Sequence, residues 1–278
     1  MFVSAGGSAS AIAVSAIGDL TMAGGTLSGV SVSGGTLFQF AGNTTDVTLG
    51  SGGRQTVLGG IASGTVVSSG GFQFAGQFFN GPAGGTAVNT LVHSGGTLAL
   101  GVFGLTSGAV IENGAFLFEL AGVTSNVSLS GTQFVGGGLP GVPQPIPAPT
   151  AMASGTTVSS GGAEFVNSNG SAIATNVLSG GEIIFNGGVV SGLSVASGGV
   201  IDLATFAFSS SAKLSFVENA QNTGGVLTIS GGTGGLSITL LGQYIAAGFQ
   251  EKSDGAAGTA ISYAPSVTSH IALAGGHQ

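Results

Sequence analysis

Cysteine and tryptophan are both absent from this chain, and only 3 of its 278 residues are Lys or Arg. Each absence excludes something. Without cysteine there is no disulfide framework, no thiol nucleophile and no Cys-based zinc site. With 3 basic residues against 10 acidic ones, a net charge of −7, there is no basic patch for nucleic acid or for an anionic membrane surface. Charged residues make up 5% of the chain, against about 25% in ordinary soluble domains. Soluble helices cover their outer faces with Glu, Lys and Arg, so a helical fold is excluded on supply alone. No run reaches the ~18 apolar residues that a membrane-spanning helix needs. Met1 to Leu20 carries no Lys or Arg, and Ser and Gly interrupt it. It lacks the n-region of a secretory signal. Export directed from elsewhere, or an internal fragment of a longer protein, are the two expectations.

What the chain has in abundance is glycine, 56 residues, together with 42% hydrophobic residues. The apolar content is too high for a polar disordered linker, and the glycines follow no three-residue collagen period. Their order is a longer repeat. Ser-Gly-Gly recurs at Ser33-Gly34-Gly35, Ser51-Gly52-Gly53, Ser69-Gly70-Gly71, Ser94-Gly95-Gly96, Ser160-Gly161-Gly162, Ser179-Gly180-Gly181 and Ser197-Gly198-Gly199. Gly34 to Gly52 and Gly52 to Gly70 are both 18 residues, and degenerate copies at Asn113-Gly114 and Gly131 read as keeping that step. Gly70 to Gly95 exceeds 18 by 7, and Gly131 to Gly161 exceeds it by 12. The first excess contains Asn80-Gly81-Pro82-Ala83-Gly84-Gly85; the second runs from Gly136 to Pro149 and holds five of the seven prolines.

Period-two apolar residues flank each landmark. Val47 and Leu49, Val158, Val177, and Leu193 and Val195 precede it; Leu98 and Leu100, Phe116 and Phe118, Ile183 and Phe185, and Ile201 and Leu203 follow it. That is the pattern of strands with one buried face. Thr, Ser, Gln and Asn fill the alternate, outward places. Phe38 and Phe40, and Phe72 and Phe74, stand one place out of step, which reads as a bulge or register change. Each repeat is then a strand, a Ser-Gly-Gly corner, a strand and a second turn such as Gly59-Gly60 or Gly187-Gly188. One such pair buries nothing by itself, and stacked copies bury each other. The expected fold is all-β, a single-stranded parallel β-helix or β-solenoid of ~18-residue coils with a β-rich C-terminal cap. A tandem of hairpins is the competing all-β reading. The division is residues 1–23 as an N-terminal start or cap, 24–216 as solenoid with insertions near 76–87 and 136–150, and 217–278 as capping region and tail, loose from Pro265.

Val158-Ser159-Ser160-Gly161-Gly162 and Val177-Leu178-Ser179-Gly180-Gly181 resemble the AIDA-type repeats of bacterial autotransporter adhesins, over about residues 24 to 216. The resemblance implies a β-helical passenger or stalk at the cell surface or secreted. It also implies O-glycosylation in some members, for which Ser33, Ser51, Ser69, Ser94, Ser160, Ser179 and Ser197 are the matching positions. Turn serines that hydrogen-bond nearby backbone are the plainer reading of the same residues. Ser237 to Tyr244, with Phe249 and Asp254-Gly255, is similar to a segment that ends repeat arrays in large secreted proteins, some of which continue into a Hint domain. The cysteine that starts such a domain is missing here, and no outer-membrane barrel pattern follows.

Chemistry is sparse. No H-E-x-x-H, P-loop or G-x-S-x-G element occurs. His93 stands beside a landmark serine and is expected to face outward; His270 and His277 lie in the tail. Gly231-Gly232-Thr233-Gly234-Gly235 lacks the Asp of a calcium-binding nonapeptide and reads as a turn. Glu164 and Glu182, 18 apart, are the one carboxylate pair that stacking brings close, and are expected as surface or corner charges. No catalytic, cofactor or metal site is therefore assigned. The expected function is a structural or adhesive stalk without catalysis. Its partners would be host or surface glycans or proteins, or further copies of itself, with no nucleic acid and no membrane span in this chain. A carbohydrate-binding or carbohydrate-cleaving β-helix, or a self-associating matrix component, is the alternative. Because loop closure costs change slowly with length, deleting residues 138–149 should restore an 18-residue step and change stability by only about 1 kcal/mol, read from the denaturant midpoint; global unfolding would show that the repeat phase is misassigned.

Overall fold

The computed structural model describes residues 1–77, 84–137, 150–231 and 234–265, and the chain winds through them as a parallel β-solenoid of ten coils. The two inserted segments lie largely, and the tail histidines wholly, outside the described residues, as do Gly232 and Thr233. From the fourth coil on, each coil carries three strand segments rather than two; in the second and third coils the first two run together as Asp19–Ser28 and Thr36–Thr45. Arg54–Val57 follows the Ser51-Gly52-Gly53 corner, Ile61–Ser63 follows the Gly59-Gly60 bend, and Val66–Val67 leads to the next corner. The sequence pattern merges the last two into one strand. Gly64, at φ +66°, turns the chain between them. Coils pair in parallel, with Phe72 on Arg54 and Arg54 on Thr36. The short third segments form a ten-stranded sheet of their own, from Ala13–Val14 to Ser194–Val195. At ~4.8 Å per coil the rod is roughly 48 Å long.

The corner that holds Gly64 follows its own rule. One residue per coil takes a left-handed conformation there: Ala11, Gly29, Asp46, Gly64, Asn89, Gly108, Asn126, Gly155, Ala174 and Gly192. Every second one is glycine, and three of the others are Asn or Asp, the residues that tolerate this conformation best. A Cβ on Gly108 would come within 2.5 Å of Asn89 Oδ1, so a side chain on one coil needs bare backbone on the next.

Val47, Leu49, Leu98, Leu100, Val158, Val177, Ile183, Leu193 and Ile201 all lie in the buried core, as their period-two spacing requires. The expected phase fails at Asn113-Gly114. Gly95 N–H donates to Gly114 C=O (2.8 Å), and Thr97 pairs with Phe116, a step of 19. Phe116 then pairs with Thr132, a step of 16, because Ser130-Gly131 turns the corner two residues short. Phe116 and Phe118 therefore point outward, and Leu117 and Glu119 point inward. Nor do the copies at Phe38 and Phe72 slip: Phe38 pairs with Thr56 and Phe74 pairs with Thr56 from the other side, in unbroken register. Phe38, Phe40 and Phe72 face out, Phe74 shares their alternation but is covered and buried, and Leu37, Gln39, Gln55 and Gln73 face in.

Parallel pairing starts with Phe2–Val3 against Thr21–Met22 and runs to Val200–Leu203. Thr259–Tyr263 then lies antiparallel on Val200–Leu203, taking up that edge, and Phe249–Ser253 lies antiparallel on Thr259–Tyr263. An antiparallel sheet of Lys213–Glu218, Gly224–Gly231 and Gly234–Leu241 packs beside them, tied on by the Leu241 N–H to Leu193 C=O bond (2.8 Å). Phe216, Tyr244, Phe249 and Tyr263 fill the junction with ring centroids 4.8–5.6 Å apart. The Tyr244 hydroxyl accepts from Val195 N–H and donates to Leu241 C=O, both at 2.9 Å.

Gly180 sits at φ +74°, and a Cβ there would meet Ser160 Oγ at 2.8 Å. A β-branched residue is strained at that φ and also crowds the neighbouring coil. Gly180→Val should lower the melting temperature by several degrees, about 2 kcal/mol or more; an unchanged melting curve would contradict the corner geometry.

Candidate functional site: a serine corner and a polar interior

All seven landmark serines are exposed and sit in one column at the same corner. The glycine after five of the seven serines donates its N–H forward to the glycine carbonyl of the next coil: Gly52 to Gly70 (3.0 Å), Gly70 to Gly95 (2.9 Å), Gly95 to Gly114 (2.8 Å), Gly161 to Gly180 (3.0 Å) and Gly180 to Gly198 (2.9 Å); Gly198 donates instead to Tyr263 C=O (2.8 Å). The serine therefore rides above bare backbone. Ser69 Oγ lies 2.6 Å, and Ser179 Oγ 2.7 Å, from where a Cβ on the glycine of the following coil would be. Among the described residues none of the seven hydroxyls makes a hydrogen bond within the protein, so the backbone-bonded reading of these serines finds no contact to rest on. Asn113 takes the serine place in the sixth coil, and the shortened Ser130-Gly131 corner omits it. The column is thus two runs, Ser33 to Ser94 and Ser160 to Ser197.

The interior is more polar than the sequence pattern suggests. Gln39, Gln55 and Gln73 are fully buried on three successive coils, Gln73 stacked on Gln55 and Gln39 one inward place further along its strand, and Thr44, Thr65 and Thr90 are buried with them. The Gln73 amide donates to Gln55 Oε1 and to Thr65 Oγ1, both at 3.0 Å. Gln55 in turn donates to Thr44 Oγ1 (3.0 Å) and Gln39 Oε1 (3.5 Å). Thr44, Thr65 and Thr90 each donate to the glutamine Oε1 of their own coil, at 3.0, 3.2 and 2.9 Å. Gln39 completes the set by donating to Gly42 C=O (2.9 Å) and Ile61 C=O (3.0 Å). Such a zipper is favourable only if every member is satisfied, and here each is.

Glu164 belongs inside, not on the surface. It is wholly buried, whereas Glu182 on the next coil faces outward beside it. Glu119, which sequence reasoning passed over, is also wholly buried. Burial pushes Glu119 up to about 8 and Glu164 up to about 7, against the lowering effect of their hydroxyl and amide partners. On the outer surface near the cap, burial with the Glu182 and Asp254 charges raises Asp202 to about 6. Burial raises Glu182 too, partly offset by Lys252. His93 faces outward as expected, with Nδ1 2.8 Å from Glu112 Oε2 on the next coil. Arg54 lies over the Phe72 ring at 5.5 Å.

Two further surfaces stand out. Phe118, Phe134 and Phe165 stack outside the rod at 5.0 Å centroid spacing, with Phe116 beside Phe118 at 6.1 Å. A recess of about 510 Å³ is lined by Val102, Phe103, Gly104, Leu105, Ala121, Gly122, Val123 and Thr150. None of these is an acid, a base or a nucleophilic thiol, so the recess brings no pair of carboxylates together. Among the described residues no group of three His, Asp or Glu is placed to hold a metal, and no helix is long and apolar enough to cross a membrane.

Gln55→Leu would strip partners from Gln39, Thr44, Thr65 and Gln73 at once, leaving buried polar groups unpaired. The expected loss is about 2 kcal/mol or more in denaturant unfolding. A neutral result would mean that the zipper does not hold these coils.

No protein-family model matches the chain, and no curated protein does. Among solved structures it is similar to a hyper-glycosylated fragment of TibA, the glycosylation catalysed by TibC. The two share 26% identity with a TM-score of 0.55 over 71% of this chain and 75% of that one. The fold reached from the spacing of Ser-Gly-Gly is thus similar to that of a fragment that is itself hyper-glycosylated.

Proposed function

We propose that the chain is a structural or adhesive stalk, or passenger segment, of a bacterial cell-surface or secreted protein, and that it performs no catalysis. In this reading the corner serines are acceptors for O-linked sugar. The observation that carries it is the serine column itself: exposed hydroxyls without internal partners, on seven of the ten coils in two runs, on a rod similar in fold to TibC-modified TibA. Bare glycine backbone beneath serines such as Ser69, Ser94, Ser160 and Ser179 leaves an approaching transferase no side chain to displace. Sugar along these runs would hydrate a surface that has very little charge of its own. The C-terminal antiparallel elements act as a cap, since they occupy the edge on which a further coil or a second molecule would otherwise pair. The carbohydrate-binding alternative has one surface in its favour, the Phe118–Phe134–Phe165 stack, because flat apolar rings suit the apolar faces of sugars.

Co-expression with TibC and its sugar donor pathway, followed by peptide mass spectrometry, tests the proposal. Sugar additions should map to Ser33, Ser51, Ser69, Ser94, Ser160, Ser179 and Ser197. The S160A/S179A/S197A variant should lose the additions of the second run and keep those of the first. An unmodified chain, or additions confined to serines on the flat faces, would count against the serine column as acceptor.

A further inference from the structure

The Gln–Thr zipper occurs twice, and the second copy differs from the first at two atoms that matter. Register places Glu119, Thr124, Gln133, Thr156, Glu164 and Thr175 where the first copy has Gln39, Thr44, Gln55, Thr65, Gln73 and Thr90. The equivalent contacts recur. Thr124 donates to Glu119 Oε1 (2.6 Å), the Gln133 amide donates to that same oxygen, and Thr175 donates to Glu164 Oε2 (2.9 Å). Where an amide N–H₂ donates in the first copy, however, the second copy has a carboxyl oxygen. Gln73 gives its N–H groups to Gln55 Oε1 and Thr65 Oγ1. In the second copy the corresponding atoms are Glu164 Oε1, Gln133 Oε1 and Thr156 Oγ1, and all three are buried without a partner. Gln39 gives its N–H groups to the Gly42 and Ile61 carbonyls, whose counterparts by register are Gly122 and Met152. Glu119 Oε2, the atom in the donor place, is buried without a partner too.

We propose that Glu119 and Glu164 are held as neutral carboxylic acids, each O–H donating where a glutamine amide donates in the first zipper, so that these coils form a proton-dependent clasp. One proton on each carboxyl is enough. Glu119 Oε2–H supplies a backbone carbonyl, the Thr156 hydroxyl supplies Gln133 Oε1 as Thr65 supplies Gln55 Oε1, and Glu164 Oε1–H supplies Thr156 Oγ1 or the same Gln133 Oε1. Ionised, the same two groups place buried charge against acceptor oxygens, with no cation to answer them. Among the described residues Glu119 and Glu164 are the only titratable side chains that face this stretch of the interior: Leu100 and Val135 stack on Glu119, Ile183 stacks on Glu164, and Ile111, Val127, Leu129 and Val158 close the opposite wall. The raised values, about 8 and about 7, have the direction that this arrangement requires.

The sign follows from linkage. Both groups hold a proton more tightly folded than unfolded, so their contribution is full below the ordinary carboxylate value of 4.5 and is lost as pH rises through about 7 and about 8. Equilibrium unfolding of the whole chain, followed from about pH 5 to about pH 9, should be compared with E119Q/E164Q, which recreates the first zipper. Between about pH 5 and about pH 6.5 two extra protons are released on unfolding, so the unfolding constant of the natural chain should rise by up to about 100-fold per pH unit more than that of E119Q/E164Q. Asp202 and Glu182, raised in the same direction, are present in both proteins and cancel in the comparison. The infrared carbonyl stretch of a protonated carboxylic acid should be stronger in the natural folded chain near pH 6 than in E119Q/E164Q, where Asp202 and Glu182 alone contribute raised carboxyls. Parallel pH profiles, or equal stretches in the two proteins near pH 6, would overturn the clasp. So would calcium chloride at about pH 8 stabilising the natural chain but not E119Q/E164Q, since the orphan oxygens would then be cation ligands.

Discussion

Every interior side chain of this protein has the same repeat position above it and below it, about one strand spacing away. That constraint governs the rest. Apolar columns satisfy it with no further condition, as Leu49, Val67, Val92 and Ile111 do on the third face. A polar side chain satisfies it only if a residue of its own or the adjoining coil offers the complementary group, as Gln55 does for Gln39 and Gln73. Glutamine suits this role, because one end donates and the other accepts, and a threonine from the same coil fills the remaining place. The column thus selects whole runs of residues rather than single ones.

The same stacking rule shapes the outside. At one corner the side chain of Asn89 or Asn126 occupies the space over which the next coil must pass, and Gly108 or Gly155 answers it. At the other corner a serine is followed by two glycines; the first, as at Gly52, Gly70 and Gly161, donates forward along the rod, the second closes its own corner, and the flanking strands bond backward. Coil length is free to vary between corners so long as these columns stay in line. A step of 19 followed by one of 16 is absorbed without loss of register.

Much of this was legible in the sequence, and the failures share one cause. Ser-Gly-Gly spacing is enough for the fold class, because only backbone-permissive corners recur at that interval. The strands preceding each landmark were read in the right phase, since Val158, Val177 and Val195 are apolar and truly inside. Phe38, Phe72, Phe116 and Phe118 misled, because hydrophobic was equated with buried. Here the outer face carries the rings, and Gln39, Gln73 and Glu119 take the interior. Glu164 stands two residues after its corner, an inward place by the same period-two rule that located Ile183 and Ile201. The assumption that a charge belongs at the surface overrode the phase. Three strands per coil were not visible, since a two-residue segment is too short to show alternation. The proton-carrying role of the glutamates lay beyond the sequence altogether, because it depends on which atom of each carboxyl meets which neighbour.

The hydrogen bonds between coils run along the axis of the rod, and this gives the protein a particular mechanical character. Tension applied lengthwise loads those bonds at the end coil first, one face at a time, rather than shearing all of them together. A coil of 18 residues that peels away lengthens from one strand spacing, ~4.8 Å, to roughly 60 Å of extended chain. Extension under load therefore proceeds in separate steps, each more than tenfold the folded rise, while the coils not yet reached keep their shape.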